Sequence, residues 1–445
     1  ELQGLSTSIR YSGLATTDES HSNTELNNSW EIDLDREVIS CDGINYYTFF
    51  EERLAKINNT YRANLNEKTV VADLKVLLRR SDVALSICKR LLKLSSFKKP
   101  VRVVAMDTHF APAGIVRKWC ELTGKGYGIH LMAMSISYEN YFSNLSSLIA
   151  KTISIEDMSA HPDLRHPFLG GRARFERYLA AFPQVQFMKD SVTRDIKLNR
   201  SKTEEGCILQ RQHVQEQALE YRKEGKKVFA LFGKVLVDFA APDDRGHVFK
   251  DFISWINFLV KEFAGSDNLL LVKPHPHEIR NEIASTDVQK LRDLFPENLP
   301  PNIIFLEHSS FNSYELVELI DVGLLWNGTA YAELPLLGKP AVAESIWAER
   351  DYPLNAYSPR TEEEYQCLIK GGIDIIVKDE VKNRASAFFH FLKSKDVAVP
   401  FGYFNRAGTN LSTGASSFIP EQMSAQRIHE DKNINLITKR FFENI

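Results

Sequence analysis

The sequence predicts an α/β protein built of two doubly wound domains facing a cleft. Three observations predict it. Short β-branched runs alternate with helical patterns in both halves of the chain, which is the sequence form of strand–helix–strand units. A polar, strongly charged stretch from about 188 to 227 separates the two alternating regions. The 445 residues are 43% hydrophobic and 25% charged, enough apolar material for two or three ordinary domains and too much for a disordered chain.

The elements follow in order. Residues 1–30 are rich in Ser, Thr and Asn without a sustained period and are expected to form a polar N-terminal arm. The first domain is assigned to 31–215. Within it, Val70, Leu74, Leu77, Leu78, Val83, Leu85 and Leu91 mark a helix over 66–94 that ends before Lys98-Lys99-Pro100. Val101–Met106 reads as a buried parallel strand ending at Asp107. Pro112–Thr123 reads as a helix with Pro in its first turn and Gly124 beyond its end, and Tyr127–Met134 as a second strand.

The second domain, 216–420, repeats the alternation. Strands are expected at Lys227–Phe232, Asn268–Lys273, Asn302–Leu306 and Val322–Trp326, with a further one starting at Pro340. Between them come helices at Val248–Phe263, at Ser313–Ile320, and from the Asn327-Gly328-Thr329 segment to Leu337, where Gly338 closes the last. Two such halves in succession are Rossmann-like, with ligands expected in the cleft between them. Residues 421–445 are expected to form a helix that leaves the second domain and crosses back over the first, its apolar stripe made by Ile434, Leu436, Ile437 and Phe441.

Composition excludes several classes. Lys+Arg 55 against Asp+Glu 58 leaves a net charge of −3, without the basic excess that phosphate-backbone binding demands, so no nucleic-acid partner is expected. No apolar run reaches the roughly 18–20 residues of a membrane-spanning helix, and the N-terminal residues lack a signal-peptide pattern, so a cytoplasmic location is expected. The five cysteines are far apart and form no Cys-x-x-Cys pair, which argues against a metal site or disulfide framework and for thiols packed as small hydrophobes.

Three segments of the second half place polar groups just after strands, the edge at which open α/β sheets bind ligands. They are Gly233–Asp238 with Asp243, Asp244 and Arg245 following; Lys273-Pro274-His275-Pro276-His277-Glu278; and Trp326-Asn327-Gly328-Thr329 running on to Glu333. Each taken singly has a plain alternative: a His-Pro can be a turn, a Gly-Thr helix start an N-cap, and Asp238 a cap or a partner of Lys234. Their joint occurrence at successive strand ends is what points to a ligand site. In the first half, Asp107 and His109 follow a strand end, and Glu139 is a further candidate on the acceptor or sugar side. Arg172, Arg174 and Arg177 could meet an anionic acceptor or form a solvated basic face.

The stretches Lys234–Arg245, Leu269–Glu278 and Ser313–Val342 resemble the C-terminal half of bacterial capsule and surface-polysaccharide glycosyltransferases of the GT-B fold, which include Kdo transferases. The resemblance runs over about 226–365. It implies transfer of a sugar, with Kdo from CMP-Kdo the leading donor, onto a glycan or glycolipid acceptor such as O-antigen or capsule. It further implies peripheral association with the inner membrane or a polysaccharide assembly complex. His275-Pro276 is also similar to the His-Pro element that contacts the CMP phosphate in bacterial CMP-sialic acid transferases, and would be that element here, beside Lys273. Asn327, Gly328 and Thr329 would form the phosphate-binding helix start, and Glu333 would be a ribose ligand. Asp238 falls where related sequences carry an Asp, and would act as nucleophile or base. Where the capsule Kdo linkers have Gln-Pro after the last strand, this chain has Glu344-Ser345-Ile346-Trp347. No Asp-x-Asp triplet in an apolar setting occurs, so neither metal nor cofactor is expected, the CMP-activated sugar being a substrate. Inversion and retention both remain open. A teichoic-acid-type polyol-phosphate transferase using a CDP donor is the alternative enzyme, disfavoured because its Asp-Tyr-Ser-Ser is Trp326-Asn327-Gly328-Thr329 here. The non-enzymatic alternative is a glycan-binding module of an assembly complex.

Overall fold

The computed structural model describes residues 26–58, 60–94, 101–105, 111–132, 152–157, 171–182, 207–236, 245–275, 278, 289–311, 313–394, 399–400, 404–406, 416–418, 426 and 430–443. The chain is a mixed α/β protein. Its first element is an antiparallel meander, β1 (Trp30–Asp33), β2 (Val38–Cys41) and β3 (Ile44–Asn45). The helices Tyr47–Ile57 and Lys68–Leu94 follow. Sequence reading marks the second helix almost to the residue but passes over the first and the meander. The reason is local. The short helix buries Tyr47, Phe49, Phe50, Leu54 and Ala55 yet has no side-chain cap at its own N-cap; instead Asn45 Oδ1 accepts from the Tyr47 N–H at 3.0 Å.

A strand–helix–strand unit comes next, β4 (Val101–Ala105), the helix Ala113–Leu122 and β5 (Gly126–Met132), with β4 and β5 parallel. β6 (Thr152–Asp157) then pairs antiparallel to β5, and β12 (Val399–Pro400) pairs antiparallel to β6. The doubly wound sheet expected for the first domain is therefore, among the described residues, a mixed four-stranded sheet of order β12-β6-β5-β4. Pro400 lies in the edge strand, the position where a residue without an N–H costs no ladder bond. The helix Lys432–Glu443 contacts β6 and β12.

The second half holds a five-stranded, wholly parallel sheet, order β11-β10-β7-β8-β9. Its strands are β7 (Val228–Phe232), β8 (Leu269–Lys273), β9 (Ile303–Phe305), β10 (Val322–Leu325) and β11 (Ala341–Ala343). They are continuous apolar runs because both faces are covered. Alternate residues divide between the layers. Val228, Ala230, Leu269 and Leu271 pack with Val214, Ala218, Phe388 and Phe391, whereas Phe229, Leu231, Leu270 and Val272 pack with Trp255, Ile256, Leu259 and Tyr365. Phe175, from the helix Gly171–Ala181, packs in the first layer, and Tyr61 packs in the second. The helix expected from Val248 starts at Phe252 instead. Asp251 caps it, Oδ1 accepting from the Ser254 N–H at 2.7 Å, while the Val248 and Phe249 N–H groups are bound elsewhere. Four cysteines are buried as expected, and Cys367 is exposed.

Asp82 fixes the start of the described chain. Its carboxylate accepts from the backbone and side-chain N–H groups of Asn27 and Asn28 at 2.6–3.0 Å and from Trp30 Nε1 at 3.0 Å. Burial alone would raise its pKa, but these donors overcome burial and hold it below the ordinary carboxylate value. A depressed folded pKa means stability present at neutral pH and lost as pH falls through that pKa. Asp82→Ala is expected to cost about 3 kcal/mol in urea denaturation at pH 7, the upper worth of one hydrogen bond to a charged group, and progressively less as pH is taken below the ordinary carboxylate value of 3.8. A loss independent of pH would contradict this account.

Candidate active site

In the five-stranded sheet the order of strands reverses between β7 and β10, and the carboxyl ends of those two strands bound the crevice where ligands gather in such sheets. Three of the strand-end segments predicted from sequence meet on this rim. The loop leaving β7 begins with Gly233, whose N–H donates to the Lys273 carbonyl at 2.8 Å. A Cβ there would stand 2.4 Å from Leu291 Cδ2 and 3.1 Å from that carbonyl, so any larger residue would have to displace the Leu291 side chain and press the β7 and β8 loops apart. Lys234 is 4% exposed. Its ammonium lies 4.9 Å from the ring centroid of Tyr61, 5.0 Å from Phe252 and 5.9 Å from Trp326, a cation held against three π faces. Tyr61 belongs to the first half of the chain, and its hydroxyl accepts from the Phe252 N–H at 3.1 Å.

At the end of β8, Lys273 is buried and its Nζ donates to the His308 carbonyl at 3.0 Å. Half-buried His275 accepts at its carbonyl from the Glu278 N–H at 3.0 Å. Glu278, 3% exposed, binds His308 Nε2 through Oε2 at 3.0 Å and accepts from the Leu291 N–H through Oε1 at 3.1 Å.

After β10, Asn327 Oδ1 accepts from the Gly328 N–H at 2.8 Å. Gly328 has φ +135, open to glycine alone, with nothing within 4 Å of the position a Cβ would take. Thr329 precedes the helix Ala330–Leu336 and makes no side-chain cap bond, so its hydroxyl is not spent on the helix. Glu333, one turn on, is buried. The structure thus brings Lys273, His275, Asn327, Gly328, Thr329 and Glu333 onto or beneath one rim. Asp238, Pro276, Asp107, His109 and Glu139 lie outside the described residues.

Glu344, just past β11, is a carboxylate that sequence reading treats only as a departure from Gln-Pro. It is fully buried. Oε1 accepts from the Val248 and Phe249 N–H groups at 2.7 and 2.9 Å, and Oε2 accepts from the Tyr365 hydroxyl at 2.8 Å. Its backbone N–H donates to the Leu325 carbonyl and its carbonyl accepts from the His247 N–H. Burial pushes the carboxyl up to about 6, against the pull of those donors. The signal available in sequence was a charged residue placed directly after an apolar strand. Tyr61 and His308 carried no such signal, since each reaches the rim from a distant part of the chain.

No family model matches the chain, and no curated protein matches it. Among solved structures, a beta Kdo 2,7 transferase, KpsC of Thermosulfurimonas dismutans, is similar over 75% of this chain and 85% of its own, at a TM-score of 0.31 and 12% identity. A likeness of that degree carries no argument, and the functional reading rests on the rim itself. Among the described residues, no helix is long and apolar enough to cross a membrane.

Because the Glu344 carboxyl is harder to ionise folded than unfolded, its contribution favours the fold at low pH and is lost as pH rises from 4.5 to about 6. The span corresponds to about 2 kcal/mol. Glu344→Gln keeps an oxygen for the two backbone donors and cannot titrate. Denaturation from pH 4.5 to 7 should show wild type losing about that much relative to the variant; parallel curves would contradict it.

Proposed function

We propose that the chain is a glycosyltransferase that takes a sugar from a nucleotide donor, CMP-Kdo in the leading reading, and passes it to a bacterial surface glycan. The observation that carries this is the convergence of Lys273-Pro274-His275 and Asn327-Gly328-Thr329 on either side of the β7–β10 crevice. A Gly at φ +135 lets a phosphate approach the backbone, and His275 can offer a donor from the β8 side. The sequence resemblance supports the same roles and adds Asp238, six residues past the last residue of β7.

In such a transfer the bond between the anomeric carbon and the phosphate oxygen breaks as positive charge builds on the sugar ring. The departing phosphate gains negative charge, which hydrogen-bond donors already aimed at it stabilise without reorganisation. The acceptor hydroxyl loses its proton as its oxygen bonds to carbon. Asp238 would either take that proton or attack first and form a glycosyl ester, so it acts on the sugar while His275 acts on the phosphate. The work would be done where a nucleotide sugar and a membrane-borne acceptor meet, with this chain held peripherally at the inner face.

His275→Ala should lower kcat/KM for the donor by an amount equivalent to about 2.7–4 kcal/mol, the usual worth of one donor to developing charge. Asp238→Asn should abolish turnover while nucleotide affinity stays within about threefold. A thermal-shift panel of CMP, CDP, UDP, GDP and ADP ranks the donor base, since the cognate product nucleotide stabilises the fold by mass action. Polyol-phosphate transfer from a CDP donor also releases CMP, so turnover of CMP-Kdo against that of a CDP-polyol separates the two enzymes; no shift with any nucleotide would overturn the reading.

A further inference from the structure

We propose that His308, held by the buried carboxylate of Glu278, contacts an anionic oxygen of the donor phosphate and forms a second histidine of the phosphate site beside His275. The inference rests on the reading of the rim as a nucleotide-sugar site. His308 lies three residues past β9, the strand next to β8, so it stands at the same carboxyl edge as His275. Glu278 joins the two segments: its N–H bonds the His275 carbonyl and its carboxylate bonds the His308 ring. A carboxylate taken out of water is costly unless firmly paired, and a loop could be fastened more cheaply by an amide. The pairing chosen here fixes a ring.

With Nε2 committed to Glu278, the other ring nitrogen, Nδ1, is the one a ligand can meet. The His308 side chain is 24% exposed while Glu278 is 3% exposed, so the orienting partner is closed off and the oriented ring is open. The backbone of His308 is fixed too, by Lys273 Nζ on its carbonyl. When the imidazole is protonated, Nδ1–H can donate to a phosphate oxygen in a charge-assisted bond, and Glu278 balances the charge from behind. Glu278 is thus a positioning residue and His308 a binding one. Among the described residues, Lys273 reaches the His308 carbonyl, and the carboxylate of neighbouring Glu307 accepts from Cys207 Sγ at 3.3 Å.

The test is CMP binding by calorimetry from pH 5.5 to 8, on wild type, His308→Gln, Glu278→Gln and His275→Ala. The CMP phosphate gains its second charge over the same pH range, so each variant is compared with wild type at the same pH. His308→Gln should weaken binding about tenfold at pH 6 and change the pH slope seen in wild type, with Glu278→Gln between the two. Should His308→Gln not fold, a wild-type measurement serves: CMP should shield His308 from diethyl pyrocarbonate, read by peptide mass spectrometry. His308→Gln binding within about twofold of wild type on an unchanged pH slope, or His308 unshielded in bound protein, overturns the inference and leaves the functional reading standing. Wild type that binds no CMP at any pH overturns the CMP-donor reading, and this inference with it.

Discussion

A carboxylate with no water around it must be satisfied by the protein, and Glu344 imposes that demand at the point where the rim of the main sheet is built. Its side chain gathers the Val248 and Phe249 N–H groups and the Tyr365 hydroxyl, while its backbone joins β10 to His247. The segment 246–249 therefore has one place to go. Gly246 is part of the same constraint, since a Cβ on it would stand 2.1 Å from Glu344 Oε1. Once this segment is fixed, Asp251 is in position to cap the helix Phe252–Ala264, and Phe252 and Trp255 close against Trp326.

The rim inherits its character from that packing. Trp326 leads directly into Asn327 and Gly328, so an aromatic cluster beneath holds the polar turn above. Lys234 lies over the same rings, and Tyr61 brings the first half of the chain to them through its bond to Phe252. Arg62 adds a looser tie, 3.7 Å from Asp251. On the other side of β7, Lys273, Glu278 and His308 form a second tied group. The crevice lies between these two tied groups, an arrangement suited to the proposed site, which must be organised before its substrate arrives.

The second half was largely legible in sequence because parallel strands covered on both faces read as short apolar runs, and β7, β8 and β10 are such runs. The strand-end motifs followed from the strands. What sequence hid was tertiary. The helix Phe252–Ala264 has apolar residues running back to Val248, so periodicity alone extends it; only the demand of Glu344 for the Val248 and Phe249 N–H groups stops it. The first half was harder because the chain departs from alternation there: β6 returns antiparallel and takes β12 from far along the sequence as its partner. Tyr61 and His308 were missed because no local pattern marks a residue whose role is set by a partner about 190 or 30 positions away.

The central claim is that the crevice between β7 and β10 holds a nucleotide by its phosphate. The most direct measurement is a crystal structure of the protein with CMP bound. The account predicts phosphate oxygens at hydrogen-bond distance, about 3 Å, from the His275 side chain and from the backbone at Gly328–Thr329. Nucleotide bound elsewhere on the molecule, with that crevice holding only solvent, would contradict it.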